Sequence, residues 1–306
     1  YLVVNGEDFL MDAGRYTYVA GKERFRLKSA AAHNTVTVDG REYTHCLDAW
    51  GVSGLGMAVN PGYCKQKGKY TYIQCGHTGY MQQGVLVNRK ILAIGTKTYI
   101  ICDEFYGNGE HCYSQHFHMA PECHTSVKEG QDNTVYVSGK QFEAKMCCLS
   151  ENVKTNLEAF SVSRHYNQME QAESVTFCRK SKAMASQNDS MTADFVRTQS
   201  MITVIFCADQ EKGQDNMEEY TAQLVPVVSP QGRCMEQYEA KGVLLTCQKE
   251  QYLVVIAHVE AGADCDYIGA MNYYGLGRVM TAQLMPEETN EHHLPGEERR
   301  MNVLCW

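Results

Sequence analysis

Val85-Leu86-Val87-Asn88-Arg89-Lys90-Ile91-Leu92-Ala93-Ile94, followed three residues later by Thr98-Tyr99-Ile100-Ile101-Cys102-Asp103-Glu104-Phe105, is the stretch on which the fold turns. Both runs are strand-sized and rich in Val, Ile, Tyr and Thr, whose side chains suit a pleated, half-buried surface. Working outward, similar runs recur at short spacing. Toward the N-terminus they lie at 1–4, 9–11, 35–38 and 69–75; toward the C-terminus at 113–119, 134–137, 174–178, 201–207, 243–247 and 252–258. Turn residues separate them: Asn5-Gly6, Asp39-Gly40, Gly107-Asn108-Gly109 and Ser138-Gly139. Asn-Gly tolerates positive φ at both positions and so favours a tight hairpin between 1–4 and 9–11. The pattern predicts an all-β fold of stacked antiparallel sheets, a β-sandwich, in one domain over residues 1–306. Residues 209–219 read as an exposed loop and 180–194 as a long surface excursion. A polar loop at 286–300 precedes a closing strand at 301–306. The chain opens inside a strand signal, as expected of a segment of a larger protein.

Composition excludes several function classes. Lys and Arg number 28 against 36 Asp and Glu, a net charge of −8. General nucleic-acid binding needs clustered cations, so none is expected. No apolar run approaches the ~20 residues that span a bilayer, and no membrane partner is expected. Any acidic polymer must be held by local basic groups, and Arg15, Arg24, Arg26 and Lys28 are the densest cluster; a solvated strand face is the other reading of it. The fourteen cysteines are scattered and several sit in apolar runs, where a free thiol behaves as a small hydrophobe. That favours a reducing compartment, while a lost leader leaves secretion open.

Three constellations could carry chemistry. In Ser29-Ala30-Ala31-Ala32-His33-Asn34-Thr35-Val36-Thr37-Val38-Asp39-Gly40, a small-residue loop delivers His33 and Asn34 at the mouth of a strand. Histidine can act as acid, base or metal ligand near neutral pH. Cys75-Gly76-His77-Thr78-Gly79-Tyr80 places a second histidine beside glycines at a strand end. Cys112, His116, His118, Cys123 and His124 are ligand types that suit zinc, but at a spacing that matches no standard structural site, so an ordinary strand is the favoured reading. For the first two, the bland alternative is a histidine satisfied in a loop or turn. There is no nucleophile elbow, phosphate loop or dinucleotide fingerprint.

Taken together, Phe9-Leu10-Met11-Asp12-Ala13-Gly14-Arg15-Tyr16-Thr17-Tyr18, then Ser29 to Gly40, then Gly76-His77-Thr78-Gly79-Tyr80 resemble the heparinase II/III-like family. That family carries a D-x-G-x-Y-x-Y strand, an A-H-N-T-V-x-V-D-G segment and an H-D-G-Y segment in this order. Thr78 stands where the last has its Asp. Val87 to Ile91 and Cys102 to Phe105 look like the family's next strand pair, and Phe117-His118-Met119-Ala120-Pro121 like its W-H-L-A-P. The resemblance covers about the first 125 residues well. It implies a two-part polysaccharide lyase: an N-terminal α/α toroid packs on the sheets, and an acidic polysaccharide, glycosaminoglycan or alginate-like, is cleaved by β-elimination at a uronic acid. It implies His33 as the catalytic residue, with Asn34, Tyr80, Arg15 and Arg24 as substrate neighbours. It also implies a possible zinc or other divalent ion on His33, His77 and Asp48. Asp48 departs from the family spacing. A non-catalytic carbohydrate-binding or structural sandwich is the rival expectation.

Overall fold

Period-two alternation builds the largest sheet. In the strand Val85–Ile94, Val85, Val87, Arg89 and Ile91 share one face; across the antiparallel ladder they meet Gly107, Phe105, Asp103 and Ile101 of Thr98–Gly107. The sheet has eight strands in the order His124–Ser126, Thr134–Ser138, Phe142–Cys148, Gln199–Asp209, Thr98–Gly107, Val85–Ile94, Tyr70–His77 and Ala58–Lys67. A four-stranded sheet, in the order Val153–Val162, Glu170–Lys180, Cys112–His118 and Val36–Val38, packs against it. Their facing side chains form one core. Val36, Val38, Tyr113, Phe117, Val175 and Phe177 come from the smaller sheet, and Val85, Val87, Phe105, Val135, Met201 and Ile205 from the larger. Phe105 and Tyr113 stack between the sheets with ring centroids 4.0 Å apart. Each such fully buried side chain contributes about 1.5–3 kcal/mol, which makes this core the main source of stability. The expected all-β stack of antiparallel sheets is what the chain adopts.

This computed structural model describes all residues except 108, 182–197, 211–215, 230, 259–267, 276, 285–302 and 306, and only the backbone of 60–63 and 303–305. The predicted loop at 286–300 lies outside the described residues, as does most of the predicted excursion at 180–194. The chain divides into two compact units, Tyr1–Gln214 and Asp215–Trp306. The sandwich above is the first. The second is a five-stranded antiparallel sheet in the order Tyr220–Val225, Ala240–Cys247, Glu250–Ala257, Val279–Leu284 and Val303–Cys305. Its own core includes Ala240, Leu253, Val255 and Met280.

Two details position the site. The opening hairpin forms, with Leu2–Val4 paired to Glu7–Leu10 and positive φ at Asn5 and Gly6. The chain then continues as an irregular segment pinned to the Val153–Val162/Glu170–Lys180 turn: Ser163 N donates to Ala13 O at 2.9 Å and Asn167 N to Tyr16 O at 2.7 Å. Gly14 makes this approach possible. Its φ is +77°, and a Cβ there would sit 2.1 Å from the Ser163 carbonyl oxygen, so only glycine fits. Second, Lys22–Leu27 is a short helix that buries Leu27 in a small cluster with Ala13 and Ala32. Arg24 and Arg26 therefore sit on a helix and Lys28 at its C-cap, not on a strand face. Two apolar residues in six, with only Leu27 buried, gave the sequence no helical period to show.

Candidate active site

The helix Lys22–Leu27 leads into a single 3-10 turn, Ala30–Ala32, whose C-cap is His33 in extended geometry. Small residues suit this turn because it is wedged between other groups. Ala32 is buried; Ala30 N donates to Glu42 Oε2 at 2.7 Å; His118 Nε2 lies 2.9 Å from the Ala31 carbonyl. A carbonyl only accepts, so His118 carries its proton on Nε2. Burial drives its pKa down to about 4, so it is neutral, and its Nδ1 is buried without a partner. Asn34 then locks the loop to two elements: its Nδ2 donates to Met11 O at 3.0 Å, and its Oδ1 accepts from His118 N at 2.7 Å. Its own carbonyl accepts from Arg89 at 2.6 Å, and Arg89 grips Asp103 through two bonds of 2.6 and 2.7 Å.

Held this way, His33 places Nδ1 2.5 Å from Asp12 Oδ2, while about a third of its side chain stays exposed. Asp12 Oδ1 accepts from Gly14 N at 2.9 Å. The hydrogen bond to Asp12 raises the His33 pKa above its ordinary value, against the opposing effect of burial. Burial pushes Asp12 up, yet the bonds from His33 and the Gly14 amide win and hold its carboxyl below the usual range. The raised pKa favours the protonated form of His33, whose Nδ1 is occupied by Asp12. The sign of the linkage follows. The raised His33 contribution is full below about pH 6.5 and is lost as pH rises through the folded value. The depressed Asp12 contribution is full above about pH 3.9 and is lost as pH falls. The pair is strongest between those limits. Asp12→Asn removes the partner, so the His33 imidazole should titrate at lower pH by NMR, with burial now unopposed. A midpoint unchanged from wild type would show that Asp12 does not set it.

The other residues named from sequence are placed as follows. Tyr80 is fully buried, and its hydroxyl donates to Arg41 O at 3.1 Å. It is a packing residue rather than a substrate neighbour, because a hydroxyl closed off from solvent cannot meet a ligand. Asn34 is likewise committed to the backbones of Met11 and His118. Arg15 is exposed, with its guanidinium 3.3 Å from the Tyr18 hydroxyl. Arg24 donates to Ala49 O at 3.2 Å. Two residues that carry the geometry were missed. Asp12 was visible in the quoted motif but had no role until the fold brought it to His33. Asp103 lay hidden as a polar residue in an apolar run.

The model of the heparinase II/III-like C-terminal family matches residues 1–211. The chain belongs to this family. No curated protein sequence matches it. Among solved structures, the heparan sulfate lyase HepC from Pedobacter heparinus is similar with a TM-score of 0.60 at 16% identity, over 84% of this chain and 36% of that one. A heparinase III, the BT4657 gene product, gives 0.59 at 15%, over 83% and 35%. These likenesses are of fold. The chain spans little more than a third of the length of those proteins.

In this heparinase II/III-like chain the three residues proposed for a metal do not converge. Among the described residues, His33, His77 and Asp48 form no group whose ligand atoms lie within 4.8 Å of one another. Each also spends one ligand atom on another bond. His33 Nδ1 is held by Asp12, and His77 Nδ1 accepts from Gly79 N at 3.1 Å. Asp48 Oδ1 accepts from Trp50 N and Gly51 N at 2.7 and 2.6 Å, capping its own loop. As arranged, these residues do not fit a divalent ion. The Cys112 to His124 set disperses as well. His116 lies between the hydroxyls of Thr37 and Thr176 at 2.9 and 3.1 Å, and the Cys112 sulfur faces Cys178. His124 points to Glu173.

Proposed function

We propose that this chain is the β-sheet part of a polysaccharide lyase that cleaves uronic-acid-containing acidic polysaccharides by β-elimination, together with an N-terminal α/α toroid in the same protein. One observation carries the proposal: a partly exposed histidine backed by a carboxylate, on a loop locked from three sides. In β-elimination a base removes the C5 proton, the C–H electrons become the C4–C5 double bond, and the C4–O bond breaks with its electrons going to the leaving oxygen, which takes up a proton. The C5 proton is weakly acidic because the adjacent carboxylate already bears charge. Catalysis must therefore neutralise that carboxylate as enolate character develops. His33 suits this role. Its pKa is raised by Asp12, which favours the protonated, donating form, and Asp12 fixes its orientation as a second carboxylate fixes a catalytic imidazole elsewhere. The proton-abstracting base then belongs to the toroid.

The test is ultraviolet absorbance of the unsaturated uronate. The full-length protein and the 306-residue chain are run in parallel on heparan sulfate, hyaluronan, chondroitin sulfate and alginate. Absorbance should grow with the full-length protein alone. Growth with the isolated chain would overturn the two-part reading, and no growth with the full-length protein on any polymer would overturn the lyase.

A further inference from the structure

Three large aromatic side chains, brought from distant parts of the sequence, stand in the open on the surface of the first unit. Tyr18 stacks on Trp50 with centroids 5.1 Å apart and an interplanar angle of 12°. It also stacks on Tyr166 at 5.5 Å and 30°. Despite this mutual contact the exposures are 66% for Trp50, 56% for Tyr166 and 44% for Tyr18. A single exposed aromatic needs no explanation; an aligned exposed row of three marks a contact surface. The Arg15 guanidinium lies 5.4 Å from the Tyr18 ring centroid.

The row is pre-organised by ties that serve no purpose in the core. Tyr18 is set beside Tyr166 because Asn167 N donates to Tyr16 O. Trp50 is fixed by Asp48, which accepts from the Trp50 and Gly51 amides. Arg24 and Lys28 clamp the same loop from the helix: Arg24 Nε donates to Ala49 O at 3.2 Å, and Lys28 Nζ to Asp48 O at 3.2 Å. A surface already rigid binds without the cost of ordering its side chains.

We propose that Trp50 and Tyr166, braced by Tyr18 stacked against both, form a stacking platform for the pyranose rings of an anionic saccharide, with Arg15 as the cation that meets its carboxylate. Aromatic faces take the apolar C–H face of a sugar ring, and ring contacts of this kind add to area burial. Charge selects the class of sugar. On a chain of net charge −8, this row is edged by Arg15, Arg24 and Lys28, so a neutral glucan would leave the cations unused. The site is also continuous with the candidate active site. Arg15 is three residues from Asp12, at most about 11 Å along the chain, so one oligosaccharide can reach both. The same loop exposes Leu47, Leu55 and Met57. Those aliphatic side chains suit a covering protein surface, and the aromatic and cationic row does not need one.

The identity of the sugar rests on the lyase reading; the platform itself does not. The chain has two tryptophans, so Trp306→Phe leaves Trp50 as the sole reporter. A heparan sulfate hexasaccharide should change its emission saturably, and the carboxyl-reduced hexasaccharide should bind more weakly. Tyr166→Ala and Arg15→Gln should each weaken binding roughly tenfold, equivalent to about 1.4 kcal/mol. In the full-length enzyme, Trp50→Ala should raise KM by a similar factor and leave kcat largely intact. Elimination by the full-length enzyme with an unchanged KM in Trp50→Ala would overturn the platform and leave the lyase standing. Saccharide-dependent emission without elimination on any polymer would do the reverse. A Trp50→Ala variant that lowers the melting temperature of the full-length protein but not its saccharide affinity would show the row to be a covered domain contact, and would also overturn it.

Discussion

On the proposed elimination, a His33→Ala variant of the full-length protein should turn over at least about 100-fold more slowly than the parent, with little change in melting temperature. The size follows from the role. Removing one group that stabilises developing charge costs about 10²–10³ in kcat, and the protonated form that Asp12 favours at His33 adds charge to its hydrogen bond. The stability cost is small because the ring is partly exposed and its one polar partner, Asp12, is more exposed still; such surface pairs contribute about 0–1 kcal/mol. The loss should fall mainly on kcat, since the charge matters most as the carboxylate gains enolate character. Asp12→Asn should lose less, and its loss should be greatest at higher pH, where an unsupported imidazole gives up its proton. Steady-state kinetics on the polymer identified by absorbance checks both. Unchanged kcat in His33→Ala would remove His33 from the chemistry, and an equal rise in KM alone would make it a binding residue.

What the sequence made legible was set by backbone constraint. Asn5-Gly6 and Asp39-Gly40 announced their turns because positive φ excludes most residues, and all four adopt it. Gly14 belongs to a quoted motif, and no larger residue fits there beside the Ser163 carbonyl. Strands with one buried face were legible from alternation, as Val85–Ile94 was to the residue. Of those missed, Phe142–Cys148 and Val279–Leu284 are interior strands, and others lie at edges. Val153–Val162 ends the four-stranded sheet and buries only Val162. Ala58–Lys67 ends the eight-stranded sheet, carries Pro61 and shifts register between Val59 and Tyr63. Edge strands are solvated and tolerate Pro and polar residues, so no apolar period survives to be read. The site was half legible for a different reason. His33 announces itself by type and context, but Asp12 becomes its partner only after the chain crosses between elements. The row Tyr18, Trp50 and Tyr166 draws on three segments with no local signature in common.

The network behind His33 yields the largest expected loss of stability. Asp103 is fully buried; it accepts two bonds from Arg89 and a third from Gln115 Nε2 at 2.6 Å. Gln115 belongs to the facing sheet and accepts from Thr203 at 2.7 Å, so one carboxylate ties the two sheets together through an otherwise apolar core. Burial works against the Arg89 charge, and Asp103 outweighs it, raising the pKa. Asp103→Ala would leave a guanidinium and an amide in the core without their acceptor, which costs about 3–5 kcal/mol. For a domain of this size that is roughly a 10 °C fall in melting temperature, readable by calorimetry. The double variant Arg89→Met/Asp103→Leu should recover much of the loss, because a buried pair replaced by well-packed apolar groups is often neutral. It should not recover turnover. Arg89 also donates to the Asn34 carbonyl, and without that bond the loop carrying His33 loses its anchor to the larger sheet. A stable but slow double variant would therefore show that the buried pair is kept to position His33 rather than to hold the fold. A double variant with full activity would show that Asn34, through Met11 and His118, holds the loop without help.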